Sequence, residues 1–151
     1  MQAGLCTITF HFAPRSPMLY TINRGNIASY VEGQTPILHL VASAEATQAA
    51  GYALAFTDGH GTVEITQSFD DLADLNRLDW NVMQARQWAD TDIDNDRKRR
   101  RQAEFLVYNF SPWLLIDEIE VIRREVKIQV EQILQNMEHK PSVVVRPNWY
   151  Y

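Results

Sequence analysis

The chain is poor in the patterns that most often announce a chemistry. It carries one cysteine, Cys6, among 151 residues, which excludes an internal disulfide and suits a reducing, cytoplasmic compartment. Nothing around Cys6 marks it as a nucleophile, so it reads as a small packing residue. No apolar run approaches the roughly 18 residues of a membrane span. The opening Met-Gln-Ala-Gly-Leu-Cys-Thr has no basic stretch leading into a long apolar one, so no secretory leader and no membrane partner are expected. Zinc-ligand spacing, the phosphate-loop glycine signature and a Ser-His-Asp spacing are all missing. Asp90, Asp92, Asp94 and Asp96 alternate as in a calcium loop, but either register lacks the turn glycine and ends on Arg101 or Ala103 instead of glutamate. No metal is therefore expected. Repeats and low-complexity linkers are also absent, which favours one domain over residues 1–151.

What is present fits a globular chain with a core: 46% apolar and 22% charged residues. A net charge of −5 argues against a sequence-independent polyanion binder. The average hides a local asymmetry, because the run Arg97-Lys98-Arg99-Arg100-Arg101 follows the aspartates directly. Such a run offers phosphate affinity despite the global sign, or it is simply a solvated loop.

Residues 5–12 alternate at Ile8, Phe10 and Phe12, which predicts a strand with one buried face and His11 on the other. Ser16-Pro17 reads as an N-cap and first helical residue, with Gly25 as the stop. Ile37–Val41 is continuously apolar and predicts a central strand. A helix over 43–50 ends at Gly51, and a strand over 52–56 runs into the turn Asp58-Gly59-His60-Gly61. Ser68 is expected to cap a helix beginning near Asp70, and Asp79 one carrying Trp80 and Met83. Residues 90–101 read as an exposed loop. Ala103–Phe110 is a strand with Phe105 and Val107 on one face and Glu104 and Leu106 on the other. A strand over 116–122, a helix over 124–137 and a strand over 143–146 close the chain. Strands and helices are interspersed without strict alternation, so the expected class is α+β.

Glu104 is the foremost candidate for chemistry. It stands where a charged stretch enters an apolar strand, so a fixed carboxylate there can face a cleft and stabilise an oxocarbenium-like cation. It can equally be a strand-end glutamate paired with an arginine. In the segment 10–20, Arg15 can meet a phosphate, Ser16 can bond a carboxamide and Tyr20 can stack on a flat ring. Ser16 as a cap, and Met18 and Tyr20 as core residues, are the plainer alternatives. His60 in its turn can donate to a base or phosphate, or be an ordinary turn histidine. His39, inside an apolar strand, reads as a core histidine. Trp80 and Trp88 can stack on a base or pack in the core.

Several stretches together resemble the DarT family of bacterial toxins: Phe-Ala-Pro-Arg-Ser-Pro-Met-Leu-Tyr at 12–20, Ile-Leu-His-Leu-Val at 37–41 and Phe-Thr-Asp-Gly-His at 56–60. Asp-Leu-Ala-Asp-Leu at 71–75, Asp-Trp-x-Val-Met-x-Ala-Arg at 79–86 and Trp-Tyr-Tyr at 149–151 extend the likeness. The longest match is Asp-Arg-Lys-Arg-Arg-Arg-Gln-Ala-Glu-Phe-Leu-Val at 96–107. The resemblance implies an ADP-ribosyltransferase-like fold, a split antiparallel β-sheet core with flanking helices. It implies NAD as co-substrate, transfer of ADP-ribose to thymidine in single-stranded DNA, and a macrodomain antitoxin as partner. Glu104 matches the family's catalytic glutamate, and residues 80–103 its substrate-recognition loop. Arg15, Ser16, Met18 and Tyr20 become candidates for NAD binding; His60, Arg97, Arg99, Arg100 and Arg101 become candidates for DNA binding. Family members carry a preceding segment, with a histidine for NAD and a catalytic arginine, that this sequence does not include. The chain is thus expected to be an N-terminally truncated domain. The alternative is an inactive module that binds nucleic acid, nucleotide or the antitoxin.

Overall fold

The computed structural model describes residues 6–151, so the expected strand residue Leu5 lies outside the described residues. In chain order the elements are β1 (Thr7–His11), α1 (Pro17–Asn23), β2 (His39–Ala42), α2 (Ala44–Ala49), β3 (Leu54–Thr57) and β4 (Ser68–Phe69). They continue with α3 (Trp80–Gln84), α4 (Arg97–Arg101), β5 (Glu104–Tyr108), β6 (Ile116–Val121), α5 (Arg124–Leu134) and β7 (Ser142–Val145). The described residues form two compact units, one of residues 6–16 and 44–111, the other of 17–43 and 112–151.

The first unit holds a four-stranded sheet in the order β1-β5-β3-β4, antiparallel throughout. The register sets Phe10 opposite Phe105 and Phe56 opposite Phe105 and Phe69. With a side-chain period of two, these rings share one face. They form the core with Val107, Leu78, Met83 and Ala103, all buried. Phe12, just past β1, meets the rings of Phe56, Phe105 and Trp80 edge-on, at centroid distances of 6.2, 6.0 and 5.8 Å. The same alternation sends His11 and Glu104 to the opposite face, where they are direct partners in the ladder.

Two local expectations need correction in this unit. Ser68 caps no helix; it lies in β4, paired with Thr57. The helix that follows is a 3-10 helix over Leu72–Arg77, capped by Asp71, whose carboxylate accepts from the Ala73 amide. Asp71 takes this role because it stands immediately before the first turn, within reach of an amide that has no partner inside the helix. Residues 90–101 are also not simply an exposed loop, since α4 occupies 97–101 and buries Arg101. Asp79 does cap α3, accepting from the Val82 amide at 3.0 Å.

The second unit holds the sheet β2-β6-β7. Here β2 is an edge strand, not the expected central one, with Leu40 47% exposed. The central strand is β6, despite its interleaved acids. Glu120 is tolerated there, fully buried, because Arg146 Nε donates to its carboxylate at 2.6 Å. Burial first, and the neighbouring Glu118 second, push the Glu120 carboxyl up, against the pull of Arg146. The Tyr150 hydroxyl donates to the carbonyls of Ile37 and Glu120, and burial raises it to about 12. Strands β6 and β7 run parallel, joined through α5. The antiparallel expectation therefore holds for the first sheet only. Of the residues that helical spacing marks over 124–137, α5 packs Val126, Val130 and Leu134, while Ile133 is 75% exposed and Met137, past the helix end at Leu134, is 45% exposed.

Candidate active site

Glu104 opens β5 between β1 and β3, and its position is fixed through the backbone. Its amide donates to Thr57 Oγ1 at 3.1 Å, and that hydroxyl donates onward to the Gly59 carbonyl at 2.7 Å. One buried threonine thus ties the catalytic candidate to the turn that follows β3. The Glu104 side chain is 18% exposed, with Oε1 3.6 Å from His60 Nδ1. A Cβ added to Gly61 would lie 2.9 Å from Oε2, so the turn's backbone closes over the second carboxylate oxygen. The result is a half-buried anion held between an imidazole and a glycine. Such an anion can stabilise a developing cation or accept hydrogen bonds from ribose hydroxyls.

The turn is braced in its own right. The His60 amide donates to the Arg99 carbonyl at 3.0 Å, and Thr66 Oγ1 donates to the His60 carbonyl at 2.8 Å. Arg99 Nη1 donates to Asp58 Oδ1 at 3.0 Å and to Thr66 Oγ1 at 3.2 Å, while its Nε and Nη2 each reach Asp96 at 2.8 Å. Arg100 pairs with Asp79 and Asp94. Arg100 holds the Asp94 carboxyl, and Arg99 the Asp96 carboxyl, below the usual range. Gly59 makes room for this brace: a Cβ there would sit 2.2 Å from Arg99 Nη1 and 2.9 Å from its Cγ. Gly59→Ala is accordingly expected to displace Arg99 from both aspartates and to destabilise the protein by about 1–3 kcal/mol, read by denaturant unfolding.

Arg101 is 4% exposed. Its Nη1 donates to the carbonyls of Val82 and Met83, the former at 2.9 Å, and its Nη2 to the Arg15 carbonyl at 3.1 Å. The reading of Arg99, Arg100 and Arg101 as free surface charge is thereby corrected, because their guanidinium groups are engaged within the unit. Lys98 is the open member of the run, its side chain 57% exposed, whereas Arg97 is 25% exposed and its Nη2 donates to the Gln87 carbonyl.

The remaining candidates fall as follows. Arg15 is half-buried, and Ser16 is buried with its amide donating to the Pro14 carbonyl at 3.1 Å. Met18 and Tyr20 lie on α1 in the second unit, 63% and 42% exposed, so neither is the core residue of the plainer alternative. The Tyr20 ring meets Tyr151 at 5.1 Å. His39 is half-buried against the rings of Trp149 and Tyr150. Trp80 donates its indole N–H to the Leu75 carbonyl at 2.8 Å. Sequence reasoning passes over His11, the residue directly opposite Glu104. Part of the signal is there, since both residues alternate with core phenylalanines; the strand pairing that joins them is not.

The chain belongs to the DarT family, whose profile, described as "ssDNA thymidine ADP-ribosyltransferase, DarT", matches residues 7–151. It is 44% identical over 146 residues to a DNA ADP-ribosyl transferase of Thermus sp. strain 2.9 and 43% identical over 146 residues to one of Thermus aquaticus. Each alignment takes in 95% of this chain, which spans 68% and 63% of those relatives' lengths. Among solved structures, Thermus sp. 2.9 DarT in complex with NAD+ superposes with a TM-score of 0.90 at 44% identity, covering 96% of this chain and 72% of that one. The same protein in complex with ADP-ribosylated ssDNA also gives a TM-score of 0.90, covering 96% of this chain and 68% of that one. Among the described residues, no helix is long and apolar enough to cross a membrane.

Proposed function

We propose that this chain transfers ADP-ribose from NAD to thymidine in single-stranded DNA, with Glu104 as the catalytic carboxylate. The observation that carries the reading is the fixed position of Glu104 at the start of β5, tied through Thr57 to the turn bearing His60. It is supported by membership in a family whose Thermus member has been solved with NAD+ and with ADP-ribosylated ssDNA.

In the reaction the bond between nicotinamide and the ribose C1 breaks, nicotinamide leaves with the electron pair, and a base nitrogen attacks C1 and gives up its proton. Glu104 stabilises the ribosyl cation and helps draw that proton from the attacking nitrogen. A base reacts this way only when unstacked, which suits a single-stranded substrate. Arg15, Ser16, Met18 and Tyr20 are the NAD-contacting residues of this reading. His60 and Arg97, at the start of the basic helix, meet the DNA, while Arg99, Arg100 and Arg101 shape the turn and loop that present it. A macrodomain antitoxin that removes the modification completes the reading.

The test uses two single-stranded oligonucleotides that differ only in whether one position is thymidine. With NAD and the purified chain, an ADP-ribose adduct is expected on the thymidine oligonucleotide alone. An adduct on both would overturn the base assignment, and an adduct on neither would overturn the activity.

A further inference from the structure

His11 closes the β1–β5 ladder directly opposite Glu104. Directly opposed residues of an antiparallel pair hold their Cβ atoms about 4.5–5.5 Å apart and project to the same face. That face is the one away from the phenylalanine core, because Phe10 and Phe105 are paired on the other. Strand β5 lies between β1 and β3, so the carboxylate has His11 on one flank and His60, from the turn after β3, on the other. A lone histidine on an edge strand is ordinarily a solvated residue. This one is the ladder partner of a carboxylate that itself lies 3.6 Å from a second histidine.

We propose that His11 is a positioning residue for Glu104, its neutral imidazole confining the carboxylate from the β1 side and leaving its charge free to face the ribosyl cation. The inference rests on the reading of Glu104 as the catalytic carboxylate. The charge balance supports a neutral ring. Crowding on the inner side of the imidazole, which is otherwise open to solvent, is the largest influence and lowers its pKa below 6.5. Glu104 pulls it back up, His60 pushes it down, and the Ala103 carbonyl raises it. These are the groups that face the ring: one carboxylate from β5, one imidazole from the β3–β4 turn, and one backbone carbonyl. The sign follows. Above its lowered pKa His11 is uncharged and places no cation opposite Glu104. Below it, an imidazolium opposite Glu104 claims that charge, and the carboxylate no longer serves the reaction.

The experiment has two readouts on the full chain. The first is an NMR titration of the histidine rings, with His11 assigned by its loss in His11→Gln, in the wild type and in Glu104→Gln. The His11 midpoint is expected below 6.5 in the wild type, and lower by about half a unit or more in Glu104→Gln, where the carboxylate's support for the imidazolium is gone. A midpoint that does not move in Glu104→Gln would overturn the coupling. The second is the pH profile of adduct formation on the thymidine oligonucleotide. His11→Gln is expected to move the acid limb to lower pH, and His11→Lys, with a cation fixed opposite Glu104, to lower the rate by at least about tenfold at neutral pH. A wild-type acid limb in His11→Gln, or a wild-type rate in His11→Lys, would overturn the positioning role while adduct formation and its dependence on Glu104 stayed intact. An adduct equally abundant with Glu104→Gln, or none from the wild type, would instead overturn the reading beneath it.

Discussion

Replacing Arg101 with leucine is expected to lower the free energy of unfolding by about 3 kcal/mol or more, measured by denaturant titration. The guanidinium is buried, and it donates to the carbonyls of Val82, Met83 and Arg15, from two separate stretches of the chain. Two of these carbonyls belong to α3, a five-residue helix whose last carbonyls have few partners of their own. A cation placed there also faces the negative end of the helix. Leucine fills the space of the alkyl stem but takes a donor from each of these carbonyls, leaving that of Val82 only the Ala85 amide at 3.2 Å; each lost bond to a buried acceptor costs about 1–3 kcal/mol. Arg101→Lys is expected to recover only part of the loss, because an ammonium cannot reproduce the planar fork. Were Arg101 a surface contact for phosphate, the same substitution would weaken oligonucleotide binding and leave stability within about 0.5 kcal/mol of the wild type. Stability and binding measured side by side separate the two roles.

The second large effect concerns chemistry without loss of fold. Glu104→Gln keeps the shape of the side chain and leaves untouched the amide hydrogen bond to Thr57 that fixes the strand start. Unfolding stability is therefore expected to change by less than about 1 kcal/mol. The rate of ADP-ribose transfer is expected to fall by about 100-fold or more, the scale on which removal of one aligned electrostatic group acts in other active sites. The loss should lie in the transfer step and not in NAD affinity, because the negative charge is needed only when the ribosyl cation develops. A glutamine that transfers at nearly the wild-type rate would return Glu104 to the plainer role of a strand-end residue.

Much of this site is legible in the sequence. The break from charged residues to alternating apolar ones marks Glu104 as a strand start, and Asp58-Gly59-His60-Gly61 marks the turn that closes over it. Both are local signals, carried within a few residues. What is not legible depends on contacts between distant positions. Only some partners of the basic run are adjacent, Asp94 and Asp96 among them; the others are remote, Asp58 lying 41 residues from Arg99 and Asp79 21 from Arg100. Arg101 spends its donors on backbone carbonyls, which leave no trace in a sequence. The alternation of β1 places His11 on the face opposite Phe10, yet only the register of β1 against β5 shows that Glu104 is its partner. Strand order misleads for the same reason. The apolar stretch at 37–41 suggests a central strand, whereas β6 takes that place because Arg146, 26 residues on, neutralises Glu120.

In the proposed reaction Glu104, as held in this chain, carries the transfer of ADP-ribose to DNA. The most direct test is the mass of a thymidine-containing single-stranded oligonucleotide after incubation with NAD and either the wild-type chain or Glu104→Gln, both shown folded. An added ADP-ribose is expected with the wild type, and at least about a 100-fold lower yield with the variant. An oligonucleotide left unmodified by the folded wild type, or modified equally by both, would contradict it.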